Sequence, residues 1–246
     1  MSFLGPKQIV QGTADSVLAE VNLRREELEK ANPGFRIITS PEKTNDVLVS
    51  VKPDQIQNVC ESLSIAPPER LISIAAGVTI KTLENSLPPE TSVIRVMPNT
   101  PAMVNEGMSV LSPGTHTSPT DIEWAVSIFA AVGKTAVVQE KLMNAVTGVS
   151  GSGPAYVFAL AEALVSAGIN EGLDYENADL LVRQTLLGAA TLLSQSGESP
   201  TKLREAVTSP NGTTAAAISI FERMGFQEIL IDAVSAATQR AEELGS

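Results

Sequence analysis

Residues 92–101, SVIRVMPNTP, decide how the fold is read. The apolar half, rich in Val and Ile, reads as a short buried strand. It stops at an Asn-Thr pair held between Pro98 and Pro101, residues that fix φ and cannot extend a β-ladder. The same texture recurs on either side. DVLVSV (46–51) runs into Lys52-Pro53, RLISIAAGV (70–78) ends in Ala-Ala-Gly, and KTAVVQ (134–139) is a further strand candidate. FRIIT (35–39) and KQIVQ (7–11) are shorter ones. Polar helical stretches separate several of them, including 15–31 and 119–131. Strands alternating with helices predict an α/β fold, a Rossmann-like, largely parallel sheet covered on both faces.

From about residue 141 the strand pattern ends. SGPAYVFALAEALVSAGINEGL, YENADLLVRQTLLGAATLLSQSG, NGTTAAAISIFERMG and FQEILIDAVSAATQRAEELG carry apolar residues at helical spacing. These helices are apolar on more than one face, which requires burial or a second subunit. The expected division is therefore a dinucleotide-binding domain over 1–140 and a helical substrate and dimerisation domain over 141–246.

Composition narrows the function. The 246 residues are 43% hydrophobic and 18% charged, suited to a sizeable core, with aromatics at only 4%. A net charge of -11 disfavours nucleic acid, whose phosphates need clustered Lys and Arg. The lone Cys60 excludes an intramolecular disulfide or a Cys-based zinc site, so no metal is expected. The lone His116, in PGTHTSPTD, reads as a solvated loop residue rather than a general base. No signal-peptide pattern opens the chain, and no apolar run reaches ~18 residues, so a soluble, cytoplasmic protein without a membrane partner is expected.

Ligands of open α/β sheets bind beyond the carboxyl ends of the strands. Three clusters fall there: Ser50-Val51-Lys52-Pro53, Ala75-Ala76-Gly77 and Met97-Pro98-Asn99-Thr100-Pro101. Each lets backbone approach a ligand, or is a plain tight turn. In the helical half, TGVSGSGPAYVF (147–158) sets Gly148, Gly151 and Gly153 ahead of an apolar helix. VTSPNGTTAAAI (207–218) places Ser209, Gly212, Thr213 and Thr214 at a helix start. Such a start suits a carboxylate, or reflects ordinary N-capping.

In this order the motifs SVKP, SIAAGVTI, VIRVMPNTPAMVNEGM, NAVTGVSGSGPAYVF, QTLLGAATLL and VTSPNGTT resemble those of pyrroline-5-carboxylate reductase, from about Asp46 to Leu244. The resemblance implies a Rossmann domain followed by interlocked helical domains forming a homodimer, with further assembly in some members. It implies reduction of 1-pyrroline-5-carboxylate to L-proline with NADPH or NADH, the last step of proline biosynthesis. It assigns Gly5, Thr13, Ser50, Val51, Lys52, Pro53, Ala75, Ala76 and Asn99 to the cofactor. It assigns Glu140, Val207, Ser209, Gly212, Thr213 and Thr214 to the substrate, with Thr214 hydrogen-bonding the ring nitrogen as the catalytic group.

Three local departures accompany it. Asn211 stands where family members usually have Gly, a residue that tolerates positive φ. Ala206 stands where a cofactor-contacting Asn is common, and Ser166-Ala167-Gly168 replaces the usual Asp-Gly-Gly. The N-terminus departs further, because Phe3-Leu4-Gly5 abuts Pro6-Lys7 where the family has a glycine-rich turn, a helix and a loop. A parallel neighbour of the first strand needs a crossover of about a dozen residues. Two readings follow: a reductase whose phosphate-binding unit is missing from this sequence, or a reductase-like protein with impaired or absent cofactor binding. Thr13 and Ser16, or Arg24-Arg25, are candidate contacts to a ribose or 2′-phosphate, the Arg pair also reading as a solvated helix face.

Overall fold

The computed structural model describes residues 45–245. Expectations for 7–11, 15–31 and 35–39, the Gly5–Pro6 junction, and the candidates Gly5, Thr13, Ser16, Arg24 and Arg25 lie outside the described residues. The chain forms two compact units, one running to Ser152 and resuming at Ala236, the other spanning Gly153–Ser235.

In the first unit, β1 (Asp46–Val49), β2 (Arg70–Ser73), β3 (Ser92–Met97), β4 (Gly107–Pro113) and β5 (Gly133–Val137) form a five-stranded sheet in sequential order. The pairs β1–β2, β2–β3 and β4–β5 are parallel, while β3–β4 is antiparallel. Sequence reading supplied β1, β2, β3 and β5 but missed β4. Its GMSVLSP mixes Gly and Ser with the apolar residues and blurs the alternation. The β3–β4 link is a short 3-10 turn, Thr100–Val104, closed by Asn105 at φ 61. That link is too short for a parallel crossover, so the chain must reverse.

Period-two alternation sends each strand's side chains to opposite faces. Leu71 and Val93 join α1 (Ile56–Leu63) and α2 (Ile80–Asn85) in one core with Cys60 and Leu83. Burial pushes the Cys60 thiol pKa up. Ile72, Ile94, Val96 and Leu111 join Ala125 and Phe129 of α3 (Pro119–Ala130) in the other. The α3 start is fixed by a capping box, Ser118 and Asp121 each bonding the other's backbone N–H, with Pro119 in the first turn. Gly133, at φ 147, lies where a Cβ would sit 2.0 Å from the Gly107 carbonyl oxygen, so the β4–β5 contact needs glycine.

After β5 the chain passes through a 3-10 turn, Glu140–Leu142, then α4 (Met143–Val146) and a single π-turn, Thr147–Gly151. The second unit holds α5 (Gly153–Asn170), α6 (Tyr175–Gln195), α7 (Pro200–Ala206) and α8 (Thr213–Arg223), and α9 (Phe226–Gly245) begins within it. Gly168 lets α5 approach α6, since a Cβ there would stand 3.3 Å from the Ala178 Cβ. Large apolar side chains stay exposed across these helices, among them Phe158, Leu180, Leu187 and Ile229. Apolar surface of this extent marks an interaction face.

Candidate functional site

Parallel register aligns the carboxyl ends of β1, β2 and β3 side by side. Ser50-Val51-Lys52-Pro53 leaves β1 with Ser50, Lys52 and Pro53 exposed, and Pro53 opens a short 3-10 turn. Ala75-Ala76-Gly77 leaves β2, with Ala75 buried and Gly77 at φ 81. A Cβ on Gly77 would meet the Leu244 backbone at 3.1 Å, so the end of α9 and the positive φ both select glycine. Pro98 and Asn99 follow β3. The three clusters singled out in the sequence are thus one continuous edge.

Asn99 joins two of the motifs. Its amide donates to the Ser150 carbonyl at 3.2 Å and to the Ser150 hydroxyl at 3.3 Å, while its Oδ1 accepts from Met108 N–H at 2.9 Å. The glycine-rich turn therefore packs on the proline-bounded loop. Gly151 stands over Met97, where a Cβ would meet the methionine Cε at 2.5 Å.

Glu140 is occupied from within the same unit. Its Oε1 accepts from the Ile80 backbone N–H, the first turn of α2, and from Arg95 Nη1 at 3.2 Å. Arg95 lies within β3 with only 6% of its side chain exposed. Ser73, Arg95 and Ser112 form one cross-strand row in register. Sequence reasoning passed over Ser73 and Arg95 and took Ser150 only as part of the glycine-rich run. The available signal was a lone charge inside the apolar run SVIRVM.

In the second unit, Asn211 takes φ 60 and Gly212 forms the cap of α8. Gly212 N–H donates to the Ser209 carbonyl at 3.0 Å, and a Cβ on Gly212 would lie 2.4 Å from Ser209 Oγ. Thr79, Ser118, Asp174 and Ser199 cap their own helices through side chains, whereas the α8 cap makes no side-chain hydrogen bond. The α8 start is capped by Gly212 and by no Ser or Thr side chain. Thr213 and Thr214 occupy the first turn of α8, where the helix N–H groups lack intrahelical acceptors. Thr214 is half-buried and Val207 is exposed. His116 is exposed on its loop, as expected, and among the described residues no group of His, Cys, Asp and Glu forms a metal site.

Comparison with known proteins resolves what these features belong to. The chain is 39% identical to the pyrroline-5-carboxylate reductase of Synechocystis over 98% of this chain and 89% of that one. The chain belongs to the pyrroline-5-carboxylate reductase family. The family member from Methanosarcina acetivorans is 41% identical over 88% of this chain and 82% of its own. The family description "Pyrroline-5-carboxylate reductase dimerisation" matches residues 140–244. Among solved structures, the Coxiella burnetii pyrroline-5-carboxylate reductase superposes with TM-score 0.78 at 39% identity, covering 82% of this chain and 77% of that one. The Plasmodium falciparum enzyme, solved with NADP bound, gives TM-score 0.78 at 31% identity over 87% of this chain and 84% of that one. Within this family the apolar surface of α5 and α6 is that of a homo-oligomerising region. The segment Glu140–Asn170, whose mean hydropathy of 1.3 and length match those of a membrane span, falls inside it.

Proposed function

We propose that this chain reduces 1-pyrroline-5-carboxylate to L-proline with NAD(P)H, completing proline biosynthesis as a soluble cytoplasmic homodimer, with higher assembly open to it. The observation that carries the proposal is the α8 start, a Ser-Pro-Asn-Gly-Thr-Thr turn left without a side-chain cap. Its first-turn N–H groups suit a small carboxylate.

The strand ends of the first unit fit a dinucleotide. Small residues, Ala75 and Ala76, and a glycine at positive φ bring backbone to the sheet edge, with Ser50, Val51, Lys52 and Pro53 on one side and Asn99 on the other. Bound there, the nicotinamide supplies a hydride to the C=N carbon of the substrate. The remaining work is positioning and charge. N–H groups at the start of α8, with Thr213, hold the substrate carboxylate against the positive end of the helix. Ser209 and Gly212 set the tight turn that aims those N–H groups. The Thr214 hydroxyl oxygen accepts a hydrogen bond from the protonated ring nitrogen, favouring the electrophilic iminium. Val207 borders the site. The division of labour follows the chain, with cofactor on 1–140 and substrate and dimer contacts on 141–246.

The test is consumption of NADPH by the purified chain with 1-pyrroline-5-carboxylate, with L-proline identified as product. Absence of turnover overturns the proposal. A reductase-like protein without cofactor binding is the less favoured reading, and titration with NADPH separates it, because that reading requires no saturable binding.

A further inference from the structure

The loop from Ala75 to Thr79 carries the small residues assigned to the cofactor, and it is held at both ends from beneath. At its start, the Ala75 N–H donates to the Ser73 hydroxyl at 3.3 Å. At its end, the Ile80 N–H donates to Glu140 Oε1, which also accepts from Arg95 Nη1 at 3.2 Å. Ser73 and Arg95 are register partners on neighbouring strands, both buried. Glu140 arrives from beyond β5 and opens the segment that continues into the helical region.

A buried guanidinium keeps its place only with a partner, because an uncompensated charge in the interior is strongly destabilising. Arg95 therefore pins the Glu140 carboxylate, and the carboxylate in turn pins the first turn of α2. The side chain placed near the substrate by sequence resemblance has one oxygen committed to protein donors, sixty residues away along the chain at Ile80.

We infer that Glu140 is a positioning residue for the cofactor loop: with Arg95 and Ser73 it sets the backbone of Ala75–Thr79 against the dinucleotide and does not select the pyrroline. The inference rests on the cofactor assignment made under the proposed function. Its logic is preorganisation, since a loop already fixed in its bound geometry spares the ligand the work of ordering it.

Direct fluorescence titration with NADPH and steady-state kinetics on three variants test it. Glu140→Ala removes the clamp, Glu140→Gln keeps an acceptor of nearly the same shape, and Ser73→Ala frees the loop at its other end. The expected result is an NADPH Kd raised about tenfold in Glu140→Ala and severalfold in Ser73→Ala. The Gln variant recovers part of the loss, and KM for 1-pyrroline-5-carboxylate changes less than threefold throughout. A raised pyrroline KM with unchanged NADPH affinity places Glu140 on the substrate and overturns the inference. A lowered melting temperature with both constants unchanged also overturns it, leaving the clamp a matter of stability alone. Should Glu140→Ala fail to fold, the Gln and Ser73 variants carry the same distinction. Wild-type protein that binds no NADPH refutes the functional assignment itself, a result separate from any pattern among variants.

Discussion

The carboxamide of Asn99 bonds to residues on both sides of it, donating twice to Ser150 and accepting from the Met108 N–H at 2.9 Å. The loop ending β3, the first residues of β4 and the glycine-rich turn before α5 are thereby one assembly. Under the proposed function, Asn99 supports the nicotinamide site by holding this edge in shape. Replacing Asn99 with Ala leaves the Met108 N–H and the Ser150 carbonyl without their partner. The expected loss is about 1–3 kcal/mol of unfolding free energy, measured by urea denaturation, together with weakened NADPH binding.

At the α8 start, Thr214→Ala removes the hydroxyl proposed to meet the ring nitrogen while leaving the helix intact. The expected fall in kcat/KM is roughly 10²-fold, the scale of a lost group that manages a proton in the transition state. Thr214→Ser retains the hydroxyl and is expected to recover most of the activity. Asn211 offers a companion measurement on the same turn. Its φ of 60 is easy for Gly, tolerable for Asn and strained for a β-branched residue. Asn211→Gly is therefore expected to be near neutral, and Asn211→Val to lower stability by about 1–2 kcal/mol and to raise the substrate KM.

The Ser118–Asp121 capping box predicts a pH signature. Burial opposes the Asp121 carboxylate, yet the Ser118 N–H and hydroxyl, Ser92 and Arg70 together outweigh it and hold the pKa below the ordinary 3.8. The folded pKa is depressed, so the stabilisation is complete above the unfolded value and is lost as pH falls through the folded one. Ser118→Ala is expected to lower stability by about 1 kcal/mol at neutral pH. The gap between variant and wild type narrows below pH 3.8, which denaturation curves at stepped pH will follow.

Self-association offers a prediction that needs no substrate. Leu187, on α6, is 61% exposed within one chain. Leu187→Glu puts a charge on a face expected to meet a second copy, where an unpaired charge is costly to bury. Analytical ultracentrifugation is expected to show wild type as a dimer or larger and the variant shifted towards monomer, with helical content by circular dichroism retained.

Much of this protein was legible in its sequence. Short apolar runs ending in Lys-Pro, Ala-Gly and Pro-Asn identified β1, β2 and β3, because burial on both faces demands unbroken Val and Ile and a ligand edge demands small residues. The apolar circumference of the later helices signals a partner, and Asn211, where relatives carry Gly, is a residue able to take the positive φ found there. Local chemistry determines such features. What only tertiary structure decided were relations between distant residues. The reversal of β4 depends on a link too short to cross over. The anchoring of Ile80 by Glu140 and the seating of Gly151 over Met97 join segments that no local pattern connects. Only packing, which leaves a buried charge no stable place without its carboxylate, pairs Arg95 with Glu140 and, through it, with the Ile80 N–H.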